Sequence, residues 1–370
     1  AMGNFWTGAI DPGNTAWVGQ LMWLYYRYSG DVSFLERKAF GFLAASFRAI
    51  RGMMEYRGEE LCIPVSVSPE YGAETENAWG RNATYALSHA HFLVEALQQC
   101  RELLPHHPCS LDEALFADVA ETERRLPRFA IGVVGGDEHI NGPEILLWED
   151  QPLEHSHRHH SHLTAVYPLD LIDPEDPAYR ELIANSYRRW VQRGMGEWSG
   201  WSMPWASILH GRLGGREMAW LCLKLFQDIF TMKGYGTRHN SDGEGFTVLS
   251  GGDVMQLDGA IGYAAAILEL FVQQIRGRIR FFPGIPDSVD ACAFSSIRAA
   301  GGFTLSGSRQ GGRNRWVRIL SNRGEPLSVV SPWRAGCLLL AERELPIDAM
   351  ETPRFAHCRL VAATDGSPDN

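Results

Sequence analysis

Residues 14–31, NTAWVGQLMWLYYRYSGD, decide the architecture. Apolar side chains recur there at helical spacing, and the Gly30-Asp31 pair stops the run. Residues 32–54 follow as a second helix, with Phe34, Leu35, Phe42, Leu43, Phe47 and Ile50 on its inner side. The chain thus opens as a helix pair. The same periodicity predicts helices over 83–103, 110–125, 177–193, 203–213, 215–231 and 259–276. Two irregular stretches interrupt the pattern. One is PVSVSPEYGAETENAWGRN (64–82), rich in Pro, Gly and Asn; the other is 131–162, with Gly135-Gly136 and the run HSHRHHSH (155–162). Loops this long usually carry function. Paired helices joined by such loops suit an α/α toroid, although no strict sequence repeat marks the pairs.

Beyond Gln274 the pattern changes. RIRFFPGIPDSV (278–289) opens a series of short β-type runs: FTLSGSR (303–309), RWVRILS (315–321), LSVVSPW (327–333) and GCLLLAE (336–342). Gly-Gly and Asn-Arg-Gly turns separate them. A domain boundary is therefore expected near residue 278, with a mainly α domain over 1–277 and a small C-terminal β-sandwich over 278–370.

With 370 residues, 45% of them apolar, the chain has ample material for a buried core. The formal net charge of -10 is spread along the chain, which argues against a basic face for nucleic acid. No stretch of about twenty apolar residues suggests a membrane span. The seven cysteines (Cys62, Cys100, Cys109, Cys222, Cys292, Cys337 and Cys358) form no CxxC and are odd in number, so neither a disulfide framework nor a zinc ribbon is expected. No signal peptide is visible. Ala1-Met2 looks like a cloning remnant, so a native signal for bacterial or periplasmic export is expected to have been cut away; the cytoplasm is the other compartment considered.

Glycoside hydrolysis usually needs two carboxyl groups flanking the scissile bond. Glu70, in SVSPEYG behind Pro69, and Asp258, in MQLDGAIG at a helix start, are the candidates. Locally each has a plainer reading: an exposed loop Glu and a helix N-cap. The histidine run has three readings. His155, His157 and His159 share a face if extended, and His155, His159 and His162 share one if helical, as metal ligands would. No HExxH or Cys partner accompanies them, so no metal or organic cofactor is expected. Alternatively, His157, Arg158, His159 and His162 hydrogen-bond sugar hydroxyls and orient a carboxylate, or the cluster is structural. Trp198, Trp201 and Trp205 surround a helix start that Ser202 can cap, and Trp148, Trp201 and Trp205 are candidate faces for a sugar ring as well as ordinary core.

Taken in order, these segments resemble glycoside hydrolase family 95, the inverting α-L-fucosidase-like enzymes. NTAWVGQLMWLYYRYSGDVSFL is similar to the family's Ala-Trp helix and Gly-Asp turn, and SVSPEYG to its Ser-Pro-Glu loop. HRHHSHLTAVYPL resembles its His-Arg-His-x-Ser-His-Leu signature, the most specific part of the likeness. GWSMPWASILHGRLG, MQLDGAIG and RIRFFPGIPDSV resemble its Gly-Trp-Ser helix, its Gln-x-Asp-Gly segment and the opening of its C-terminal β-domain. The likeness covers residues 5–320. It implies an (α/α)6 toroid, complete or short of its first helices, followed by a β-sandwich. It also implies that Glu70 is the general acid, Asp258 the carboxylate on the water side, His157, Arg158 and His162 pocket lining, and Trp201 and Trp205 a pocket rim.

Three departures stand out. The family's upstream Asn-x-Asn segment, which activates water, has no counterpart here. Ala260 replaces the Asn of its Asp-Gly-Asn, and Tyr71 follows Ser-Pro-Glu where Asn is common. The expectation is thus a glycosidase acting on an oligosaccharide or glycoside, either a fragment of a larger enzyme or a divergent relative. Uncovered apolar faces predict association with a missing N-terminal region or a homo-oligomer. Two alternatives remain: a phosphorylase using Arg158 and Arg81 to hold phosphate, and a non-catalytic carbohydrate-binding remnant.

Overall fold

The computed structural model describes residues 11–72, 77–135, 139–250 and 254–330, together with the backbone of strands at 336–340, 343–346 and 357–362. It is mainly helical, with an antiparallel sheet near the C-terminus. The chain divides into two compact units, one comprising 1–26, 31–203 and 229–259 and the other 27–30, 204–228 and 260–370.

In the first unit, α1 (Gly13–Ser29) buries Ala16, Gly19, Gln20, Trp23 and Tyr26. Its opposite side leaves Val18, Leu21 and Tyr25 exposed, so the helix is apolar on both faces. The predicted second helix departs from uniform α geometry. α2 (Val32–Phe34) passes through a π-helical stretch at Leu35–Ala39 into α3 (Phe40–Arg51), which is capped at Gly52 rather than reaching residue 54. The wider turn sets Leu35 and Ala39 into the core. The chain then doubles back as a hairpin, β1 (Glu55–Arg57) with β2 (Glu60–Cys62).

The core lies among α3, α4 (Thr84–Leu103) and α5 (Glu113–Arg125). These three helices pack on one another, burying Phe40, Leu43, Phe47 and Ile50 of α3, Leu87, Leu93 and Leu97 of α4, and Leu115 and Val119 of α5. Each such fully buried side chain contributes about 1.5–3 kcal/mol. Asp112 caps α5 by accepting from the Leu115 amide at 3.0 Å. Within the irregular stretch, β3 (Ile131–Val133) pairs with β4 (Pro143–Ile145), and α6 (Arg180–Arg193) packs on that hairpin. There Arg189 grips Glu144 in a buried two-pronged pair at 2.9 and 2.8 Å.

In the second unit, α8 (Arg216–Phe230) stacks Phe226 on Tyr263 of α9 (Leu257–Phe271), with ring centroids 5.1 Å apart. Arg212, from α7 (Ser202–Arg212), pairs with Glu269 of α9 at 3.0 and 2.9 Å. The predicted helix over 259–276 is too long. It starts at Leu257 and ends at Phe271, and β5 (Val272–Ile275) then pairs with β6 (Arg278–Phe281). Arg276 and Gly277 both take positive φ, 49° and 82°, the geometry a two-residue hairpin turn requires.

The main sheet is antiparallel with six strands in the order β11-β10-β12-β9-β8-β7. These are β7 (Ala291–Ala299), β8 (Phe303–Gln310), β9 (Arg313–Ser321), β10 (Gly336–Leu340), β11 (Arg343–Pro346) and β12 (His357–Ala362). Phe271, Phe281 and Phe282 pack their rings on Phe294 of β7. Of the expected run LSVVSPW, Val329 bridges Ile279, while residues 331–335 lie outside the described residues. Cys62, Cys100, Cys109, Cys222 and Cys292 are free thiols; the side chains of Cys337 and Cys358 lie outside the described residues. Among the described residues, no helix is long and apolar enough to cross a membrane.

Candidate active site

The loop carrying Glu70 is closed at its base by a reciprocal pair of backbone hydrogen bonds between Ser66 and Gly80, both 2.9 Å. Asn82, in left-handed geometry at φ 55°, accepts from the Ile63 amide at 2.8 Å and donates to Glu149 at 2.7 Å. At the tip, the Ser68 hydroxyl meets that of Ser161 at 2.5 Å, and the Tyr71 amide donates to the Ser68 carbonyl at 2.8 Å. Glu70 is therefore held from both sides along the chain.

Its carboxylate is held from across the fold. The Arg158 guanidinium donates to Glu70 Oε2, and His159 Nε2 lies 3.1 Å from the same oxygen. The Glu70 side chain is 30% exposed, so this group is reachable from solvent. His159 sits edge-on against Trp201, with centroids 4.6 Å apart, and stacks on His157 at 5.5 Å. The His159 amide donates to His157 Nδ1 at 3.2 Å. Burial, and then the neighbouring His159 charge, pushes His157 down to about 3. Burial also lowers His159, opposed by its hydrogen bond to Glu70. Both imidazoles are therefore neutral near pH 7, able to donate on one nitrogen and accept on the other.

Tyr71 clamps the Glu70 loop to the histidine run. Its ring stacks on His155 at 4.6 Å and lies edge-on to His157 and Trp148. Its hydroxyl accepts from the Glu154 amide at 3.1 Å and lies 3.1 Å from His155 Nδ1. The other histidines have different surroundings. His160 is structural: its Nδ1 accepts from the Trp190 indole at 3.1 Å, its Nε2 donates to the Ser202 carbonyl at 3.2 Å, and its ring packs on Trp190 and Trp198. His162 is fully buried in a 3₁₀ turn at Ser161–Leu163, and burial lowers it to about 4. Ser202 works differently from the expected cap, donating to the Arg158 carbonyl at 2.8 Å and so fixing the backbone of that arginine.

The fold thus brings together Glu70, His157, Arg158, His159 and Trp201, with Trp148 buried one layer behind Tyr71. Trp205 belongs to the second unit, where it is half-buried on α7. Asp258 is exposed in the first turn of α9, one residue inside the helix rather than capping it, and its Oδ1 accepts from the Gly259 amide at 3.2 Å. A carboxylate in a first turn is favoured by the helix dipole. The link from Asp258 to the Glu70 cluster runs through Gln256, whose Oε1 accepts from the Trp201 amide at 3.0 Å. Sequence reasoning assigned Gln256 no task, although it stands in the quoted MQLDG. Among the described residues, no group of three His, Cys, Asp or Glu side chains converges as a metal ion would require.

Comparison with known proteins adds three likenesses. The model of the glycosyl hydrolase family 95 catalytic domain matches residues 1–271. Alpha-L-fucosidase 2 of Arabidopsis thaliana is 24% identical over 311 residues, covering 80% of this chain and 34% of that protein. The chain therefore spans about a third of the length of that curated relative. A solved human-microbiome structure, provisionally assigned as a kojibiose phosphorylase, aligns with a TM-score of 0.52 at 12% identity, covering 95% of this chain and 50% of that one. At that identity the likeness concerns the fold alone.

Proposed function

This chain belongs to glycoside hydrolase family 95, and from that premise we propose that it cleaves a terminal α-linked L-fucose- or L-galactose-like sugar with inversion. The proposed frame is an (α/α)6 toroid over 1–277 and a β-sandwich from residue 278. The observation that carries the reading is the convergence of Arg158 and His159 on Glu70 Oε2 beside the Trp201 ring. A sugar-cleaving site needs a positioned carboxyl, donors for hydroxyl groups and an apolar face for the ring. This corner of the protein holds all three.

In this reading Glu70 protonates the departing oxygen. Asp258 supports water on the opposite face of the sugar, and inverting enzymes hold their two carboxyls about 6.5–9.5 Å apart to make room for it. His157 lines the pocket, Trp148 backs it from behind Tyr71, and buried His162 supports the turn beneath it. Hydrolysis is favoured over phosphorolysis by the arginines. Arg158 is engaged by Glu70, and Arg81 pairs with Glu149 at 3.3 Å, so neither cation considered for phosphate lacks a carboxylate.

The test is release of free sugar from aryl α-L-fucosides and α-L-galactosides and from a natural disaccharide. Glu70→Gln should lower kcat about 10²–10⁴-fold on the disaccharide and less on an activated aryl glycoside, whose leaving group needs little protonation. Asp258→Asn should depress both alike. The first sugar released should carry the inverted anomeric configuration by NMR. A variant pair as active as the parent, or sugar binding without turnover in any longer form of the protein, would return the chain to the carbohydrate-binding alternative.

A further inference from the structure

The two proposed carboxylates are joined by one continuous path of contacts. Glu70 Oε2 meets His159; the His159 ring meets Trp201; and the Trp201 amide donates to Gln256 Oε1 at 3.0 Å. Asp258 lies two residues further along the chain. Gln256 is itself fixed on its backbone: its amide donates to the Thr237 carbonyl at 2.8 Å, and the Thr237 hydroxyl donates to its carbonyl at 2.5 Å. Gly200, beside Trp201, packs so tightly here that a Cβ on it would lie 2.1 Å from the Arg238 carbonyl oxygen and 3.3 Å from Gln256 Oε1. The Gly200 amide donates to the His239 carbonyl at 2.9 Å. The turn at 198–202 and the segments at 237–239 and 254–256 are thus locked together, and Gln256 supplies the side-chain strut between them.

We propose that Gln256 is a positioning residue that sets Asp258 against the Glu70–Arg158–His159 cluster by holding the Trp201 backbone. This rests on the assignment of Glu70 and Asp258 as the working carboxylates. A glutamine suits the task because its side chain is long enough to carry an oxygen acceptor to the Trp201 N–H. An alanine leaves the Trp201 amide without this acceptor. An asparagine is one methylene too short to span the gap. A glutamate keeps both the length and the oxygen.

The test compares Gln256→Ala, Gln256→Asn and Gln256→Glu with the parent chain, using an aryl α-L-fucoside as probe and amide hydrogen exchange as a readout independent of turnover. Gln256→Ala and Gln256→Asn should lower kcat about 10–100-fold, the scale of loss for a reacting group displaced by about 1 Å. KM should change less than about threefold, and Gln256→Glu should restore most of kcat. Protection of the Trp201 amide should fall at least about tenfold in Gln256→Ala and return in Gln256→Glu. Unchanged protection in Gln256→Ala overturns the strut whatever the activity does. Lost protection with kcat intact overturns the positioning role while leaving the hydrolase reading in place. Full activity in both Glu70→Gln and Asp258→Asn sinks the hydrolase reading, and this inference with it.

Discussion

Tyr71 shows how much one side chain can organise. It is buried, its hydroxyl accepts from the Glu154 amide, and its ring sits among His155, His157 and Trp148. Tyr71→Phe keeps the ring and removes the hydroxyl, leaving a backbone amide without its acceptor. The expected cost is about 1–3 kcal/mol in denaturant unfolding. Because Glu70 is the next residue, kcat should fall while the aromatic contacts persist; equal kcat and stability in both forms would show that the hydroxyl is idle. The sequence marked Tyr71 only as a departure from family habit. The histidine run was harder to read. Spacing offered two faces, 155/157/159 if extended and 155/159/162 if helical; His155 and His157 meet Tyr71, His159 meets Glu70, and His160, in neither set, turns inward to Trp190 and Trp198. Identical side chains in a loop carry no periodic signal that separates those roles.

Among the elements, α1, α4 and α8 were legible because each repeats its apolar positions over several turns. The stretch at 272–275 was not. Val-Gln-Gln-Ile continues the helical pattern, and Arg276-Gly277 lacks the usual Asn-Gly or Asp-Gly sign of a hairpin, although its backbone adopts that turn. The π-helical stretch at Leu35–Ala39 was also invisible, since Leu-Glu-Arg-Lys-Ala would fit an α-helix equally well. One element contact invites a direct test. Arg189 on α6 and Glu144 on β4 form a buried pair with side chains 6% and 2% exposed. Arg189→Ala should cost about 3–5 kcal/mol in urea unfolding because it strands a charge. The double change Arg189→Met with Glu144→Leu should cost much less. If the single and double variants unfold alike, the pair does not hold α6 to the β3–β4 hairpin.

For the molecule as a whole, buried histidines set a pH response. Burial lowers His89, His162 and His210 to about 4, and burial followed by the His159 charge lowers His157 to about 3. Each stays neutral in the fold while the unfolded chain protonates near pH 6.5. Above that value they cost nothing. Below it the unfolded state binds more protons, and each such histidine removes up to about 1.4 kcal/mol per pH unit until its folded value is reached. The unfolding midpoint should thus hold steady from pH 8 to about 6.5 and then fall steeply towards pH 4. A flat profile across that acid range would mean these imidazoles are protonated within the fold.

Glu70 is braced by residues from its own loop and from 155–162, with Trp201 behind His159, whereas Asp258 stands exposed in the first turn of α9 and is tied back through Gln256. The two halves of such a centre should therefore fail in sequence under stress. Under the proposed assignment of Asp258, mild urea or a nick between residues 240 and 250 would slacken that half first, leaving a protein that still grips its ligand but has stopped turning it over.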